Sequence, residues 1–178
     1  MCHYITLVVR GSNSETIDRV LRGHGRQAKS MDNASVGGAL VPGEAQYLTT
    51  VRHCDCGTVL APRAADHASN RAEQTAKLAK KGWSQAKIER WREDRVKASH
   101  RAEERHQANA PDSIELWTSI IRDLMTTPGV QQAGLLLHSY CGDLEQEEFV
   151  PTREVVGIRD LGPRLRNMRE DHIVTVTA

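Results

Sequence analysis

The sequence predicts an α+β fold: a largely antiparallel sheet with helices packed on one face and an inserted, charged helical hairpin. The order of elements carries that prediction, running strand, helix, strand, helical insertion, helix, strand, weak strand, helix, strand. A second observation is an abrupt change of composition between Pro62 and Ala110 to Ala, Lys, Arg, Glu and Gln, with no β-branched runs. A third is the supply of core residues: aromatics are 4% of the chain, with a single Phe149, so the interior must be built from Leu, Ile, Val and Ala. At 178 residues the chain is long enough for one domain, 1–178, with 62–110 inserted within it. A chain of that size buries about two thirds of its unfolded surface.

His3 to Val9 is a β-rich run. Ser12-Asn13-Ser14-Glu15 then offers a capping box to a helix whose Ile17, Val20, Leu21 and His24 recur at helical spacing, until Gly23 and Gly25 end it. Residues 26 to 45 are rich in Gly, Ser and Asn and show no period. Pro42-Gly43 reads as a turn into a strand from Gln46 to Val51. In the insertion, a first arm from Ala64 to Lys80 places Ala65, Ala68, Ala72, Ala76 and Ala79 on one face. Gly82 breaks that arm, and Ser84 caps a second from Gln85 to Gln107, whose apolar stripe of Ile88, Trp91 and Val96 is thin.

Pro111-Asp112-Ser113-Ile114-Glu115 is a second capping-box signal. It opens a helix with Ile114, Trp117, Ile121 and Leu124 facing a core and Pro128-Gly129 as the stop. Gln132 to Tyr140, with Leu135-Leu136-Leu137 inside it, has the length and apolar content of a central strand. Arg153 to Ile158 is a weaker strand, Asp160 to Glu170 a short helix with Pro163 in its first turn, and His172 to Thr177 a closing strand.

The formal net charge is +1, so no global field argues for nucleic acid or membrane. The charge is nevertheless polarised, because residues 63–109 hold twelve Lys and Arg against seven Asp and Glu, a net of +5 that leaves the remainder at −4. Mixed signs such as Arg92-Glu93-Asp94-Arg95 fit a solvated face better than a phosphate track. The 62–110 hairpin is therefore expected to meet a partner protein ahead of nucleic acid, with Trp83 near its turn as an anchor. The opening run Met1-Cys2-His3-Tyr4-Ile5-Thr6-Leu7-Val8-Val9-Arg10 has no basic lead and is too short to span a bilayer, which predicts a cytoplasmic protein without a membrane segment.

All four cysteines sit beside a histidine or a second cysteine: Cys2-His3, His53-Cys54-Asp55-Cys56, and His138-Ser139-Tyr140-Cys141. In a reducing compartment such clusters bind metal more often than they pair as disulfides. Cys2 precedes the first strand, Cys54 and Cys56 follow the second, and Cys141 follows the third. If the second and third strands both run antiparallel to the first, all four sulfurs gather at one end of the sheet. Four thiolates suit a closed tetrahedral zinc site, which is favoured over an iron–sulfur cluster, and His3, His53 and His138 stand in reserve as ligands or supports. The function expected is that of a small metal-binding protein with a structural zinc and a helical arm for partner interaction.

Cys2 directly after Met1 also resembles the start of class II glutamine amidotransferases and other N-terminal nucleophile hydrolases. In that family removal of the methionine exposes a cysteine whose α-amino group is the base. The resemblance covers Met1-Cys2 and the strand after them, and no matching Arg or Asn-Gly oxyanion motif follows. It implies the alternative function, an amidotransferase-like hydrolase using Cys2 as nucleophile. A metal-dependent hydrolase on the same Cys/His cluster, with Asp55, Asp143 or His53 as base, is the related possibility. No His-Glu-x-x-His motif supports it.

Overall fold

The computed structural model describes residues 2–61, 75–109 and 112–177. They fall into two units, Met1–Ala61 with Pro111–Ala178, and Pro62–Ala110. In chain order the elements are β1 (Cys2–Arg10), α1 (Ser14–Gly23), β2 (Lys29–Ser30), α2 (Ala34–Gly38), β3 (Glu44–Leu48), α3 (Gln85–Asn109), α4 (Ile114–Thr126), β4 (Gln132–Tyr140), β5 (Thr152–Val155), α5 (Leu161–Arg166) and β6 (His172–Thr177). All strands lie in one six-stranded sheet of order β2-β3-β1-β4-β6-β5. Every pairing is antiparallel except that of β5 with β6, so the molecule is α+β with a largely antiparallel sheet.

β1 and β4 form the centre because both of their faces are apolar. Ile5, Leu7 and Val9 of β1 and Leu135 and Leu137 of β4 share one face, where Ile17 and Leu21 of α1, Trp117, Ile121 and Leu124 of α4, and Leu161 and Leu165 of α5 bury them. The alternate residues Val8 and Leu136 point the other way, with Ile173 of β6. A strand covered on both sides reads as an unbroken apolar run, as Leu135-Leu136-Leu137 does.

The second face is where the structure departs from the sheet covered on one side. Val36 of α2 packs against Val8, Leu136 and Ile173, with Phe149 beside them. Helix α2 is only five residues long, Ala-Ser-Val-Gly-Gly, too short and too glycine-rich to show a helical period. It is held by Asn33, whose side chain accepts from Val36 N–H at 2.9 Å and donates to the carbonyls of Leu144 and Glu147 at 2.9 and 3.0 Å.

The caps follow sequence chemistry with one shift. Asn13, rather than Ser12, caps α1, accepting from Thr16 N–H at 2.9 Å, while Ser113 caps α4 through Leu116 N–H at 3.1 Å. In the second unit residues 75–80 are helical, Gly82 takes a positive φ of 78°, and α3 follows. The first arm of the expected hairpin, 64 to 80, lies for the most part outside the described residues. Among those residues no helix is long and apolar enough to cross a membrane.

Candidate metal centre

The centre forms where β1 lacks a neighbouring strand. β1 pairs with β4 along its whole length, from Cys2 opposite Tyr140 to Arg10 opposite Gln132, but with β3 only from Thr6 opposite Leu48 onward. The outer edge of Cys2 to Ile5 would otherwise present unpaired backbone groups. The loop after β3 satisfies them. Thr49 donates to the Ile5 carbonyl from its N–H at 3.2 Å and its hydroxyl at 2.9 Å, and Ile5 N–H donates to Asp55 Oδ2 at 2.9 Å. Asp55 N–H in turn donates to the His3 carbonyl at 2.9 Å, and His3 N–H donates to Cys56 Sγ at 3.1 Å.

Asp55 is the anchor of this loop. Its carboxylate is buried and also accepts from the Thr50 hydroxyl at 2.8 Å and from Arg26 Nη1 at 3.1 Å. Arg26 donates from its second terminal nitrogen to Asp112 Oδ2 at 2.9 Å, and its guanidinium lies 4.0 Å from the centroid of the Trp117 ring. Asp112 completes the brace, accepting from Trp117 Nε1 at 2.6 Å and from Val59 N–H at 2.7 Å. With its carboxylate fully engaged, Asp55 holds the loop and is not placed to act as a base. Asp143 is exposed and is not a member of the cysteine group; its Oδ1 accepts from the N–H groups of Glu145 and Gln146 in its own turn.

The loop so fixed brings Cys2, Cys54 and Cys56 together, with their sulfurs all within 4.8 Å of one another and each residue half-buried. No other such group of His, Cys, Asp or Glu ligand atoms occurs among the described residues. Burial pushes the Cys56 thiol up, the His3 N–H bond draws it down, and the neighbouring thiols Cys54 and Cys2 push it up again. Cys54 and Cys56 also line a cavity of about 230 Å³ beside Arg26, Arg52 and Asp112.

The remaining residues singled out in the sequence are placed as follows. Cys141 is exposed and does not belong to the group, so the expected set of four thiols is three. Its strand partner position explains this: Tyr140 is the residue opposite Cys2, and Cys141 lies one step beyond it, in a turn whose Cys141 and Gly142 N–H groups both donate to Glu147 Oε2. His53 is exposed, and its carbonyl accepts from the Tyr4 hydroxyl at 3.0 Å. His138 is buried, with Nδ1 2.5 Å from Asp171 Oδ1 and its ring stacked on Phe149 at 3.6 Å. His3 lies outside the group of mutually close ligand atoms and touches it at one member, with Nδ1 3.8 Å from Cys56 Sγ and Nε2 2.9 Å from Glu170 Oε1.

Sequence reasoning missed Arg26, Asp112 and Glu170. Arg26 lies in the tract without period and Asp112 reads as part of a capping box, so neither carries a signal of its own. No protein-family model, curated protein or solved structure matches this chain. Function is therefore read from the chemistry of the site.

Proposed function

We propose that the protein binds one zinc ion through Cys2, Cys54 and Cys56, and that the ion fastens the start of β1 to the loop that follows β3. The observation that carries this reading is the approach within 4.8 Å of three sulfurs, one at the start of β1 and two on the braced loop after β3. Thiolates at about 2.3 Å from zinc stand about 3.8 Å apart in a tetrahedron, so a small contraction brings them to bonding distance. A small iron–sulfur cluster would draw on four thiolates, and Cys141 lies outside the group, which favours zinc. The role is structural because the ion joins two segments at the one stretch of β1 that β3 does not reach.

Elemental analysis of protein purified without chelator is expected to give one zinc per chain. The Cys54→Ser/Cys56→Ser double variant is expected to lose the zinc and to melt at a lower temperature than wild type, with chelator lowering the wild-type melting point toward the variant's. Protein that carries no metal as purified, whose melting point neither chelator nor the double substitution changes and whose Cys2 is modified rapidly by an alkylating reagent, would overturn the structural zinc and support the nucleophile reading.

A further inference from the structure

We infer that His3 supplies the fourth ligand of this zinc through Nδ1, and that Glu170 sets the ring for that task. The inference rests on the three-thiolate centre proposed above and decides its class: Cys₃His is a closed set, with no position left for water or substrate.

Three observations on His3 converge. Its backbone cannot leave the cysteine loop, because its N–H ends on Cys56 Sγ and its carbonyl holds Asp55 N–H. Its Nδ1 already stands 3.8 Å from Cys56 Sγ, against a sulfur–nitrogen edge of about 3.6 Å in tetrahedral zinc. Its Nε2 is 2.9 Å from the Glu170 carboxylate. An ionised carboxylate only accepts, so the proton of the neutral ring sits on Nε2 and the lone pair on Nδ1 is left for Cys56 Sγ and an ion beside it. A carboxylate behind a ligating histidine is the usual support in zinc sites, where it fixes tautomer and orientation.

Glu170 is itself held in register with the site. It bridges Leu137 of β4, the residue opposite Ile5, and the next residue, Asp171, donates its N–H to the Leu137 carbonyl at 2.9 Å. The competing ligands are disposed elsewhere: Cys141 is turned outward by the Glu147 turn, and His138 is engaged by Asp171 and Phe149.

The test uses the full chain. In cadmium-loaded wild-type protein with isotopically labelled histidine, NMR scalar coupling to cadmium is expected at Nδ1 of His3 and at no ring nitrogen of His53 or His138. Glu170→Gln, a change at a half-exposed side chain that leaves β1 intact, is expected to bind zinc about 10–100-fold more weakly in competition with a chromophoric chelator. His3→Ala is expected to weaken binding further and to keep the thiolate-to-cobalt charge-transfer band while changing the ligand-field bands. Wild-type affinity in both variants, with no coupling to His3, would overturn the fourth ligand and leave the three-thiolate centre standing. Failure of wild type to bind zinc, cobalt or cadmium would overturn both.

Discussion

Arg26 carries a charge into the interior, with its side chain 8% exposed, and the carboxylates of Asp55 and Asp112 that flank it are only 2% exposed. Such an arrangement is stable only while complete. Arg26→Met removes the guanidinium from over Trp117 and leaves two buried carboxylates without their shared cation, and removing one partner of a buried pair costs about 3–5 kcal/mol. Chemical denaturation of zinc-saturated protein is expected to show a loss of that order; a change under about 1 kcal/mol would mean that water already solvates the pair. The same neighbourhood shows what the sequence discloses at this scale. Cys2, Cys54 and Cys56 were legible because a thiol beside a histidine or a second thiol advertises its chemistry. Arg26 and Glu170 were not, because their meaning lies wholly in contacts across the fold. Cys141 looked equivalent to the other cysteines, and only the register of Tyr140 opposite Cys2 shows that it falls one position too far.

At the scale of elements, periodicity and caps were enough wherever the partner was the chain's own core. α4 begins at Ile114 behind Ser113, and β4 and β6 occupy 132–140 and 172–177, where pattern and capping chemistry place them. β2 and α2 escaped notice, being two and five residues long and held by tertiary hydrogen bonds rather than by period. The three tyrosines of the chain report on this sheet. Tyr4 of β1 and Tyr140 of β4 meet edge-to-face at 5.6 Å, and Tyr47 is buried on β3. Burial is the largest cause that raises the phenol of each above its ordinary 10.0, and it pushes Tyr140 up to about 12. Between these values the unfolded chain has released phenolic protons that the folded chain keeps. Stability from these groups is therefore full well below pH 10 and falls as the pH rises above it, for Tyr140 until about 12. Phenolate absorbance is expected to stay low through pH 10 and then to rise together with loss of the circular dichroism signal; titration of all three near pH 10 in a still-folded protein would contradict it.

At the scale of the whole molecule, the residues that make the centre and those that make the main core belong to the same unit. Every buried member of the large cluster, from Ile5 to Val176, lies within 1–61 or 111–178, as do the three thiols, Arg26, Asp55 and Asp112. The segment 62–110 is a unit of its own and differs in composition, with α3 exposing Val96 at 51%. Residues close to both ends of the excision meet, since Val59 N–H donates to Asp112 Oδ1 at 2.7 Å. A linker of about six Gly and Ser residues spans roughly 13 Å and is enough to rejoin them. Loop length changes closure entropy by only about 0.6 kcal/mol per doubling, so the packed core and not the insertion decides whether the remainder folds. The excised protein is expected to unfold in one cooperative transition and to bind one zinc with wild-type affinity, measured by calorimetry and chelator competition. Loss of the transition or of the metal would show that residues 62–110 contribute to the core or to the centre, and that the two units are one.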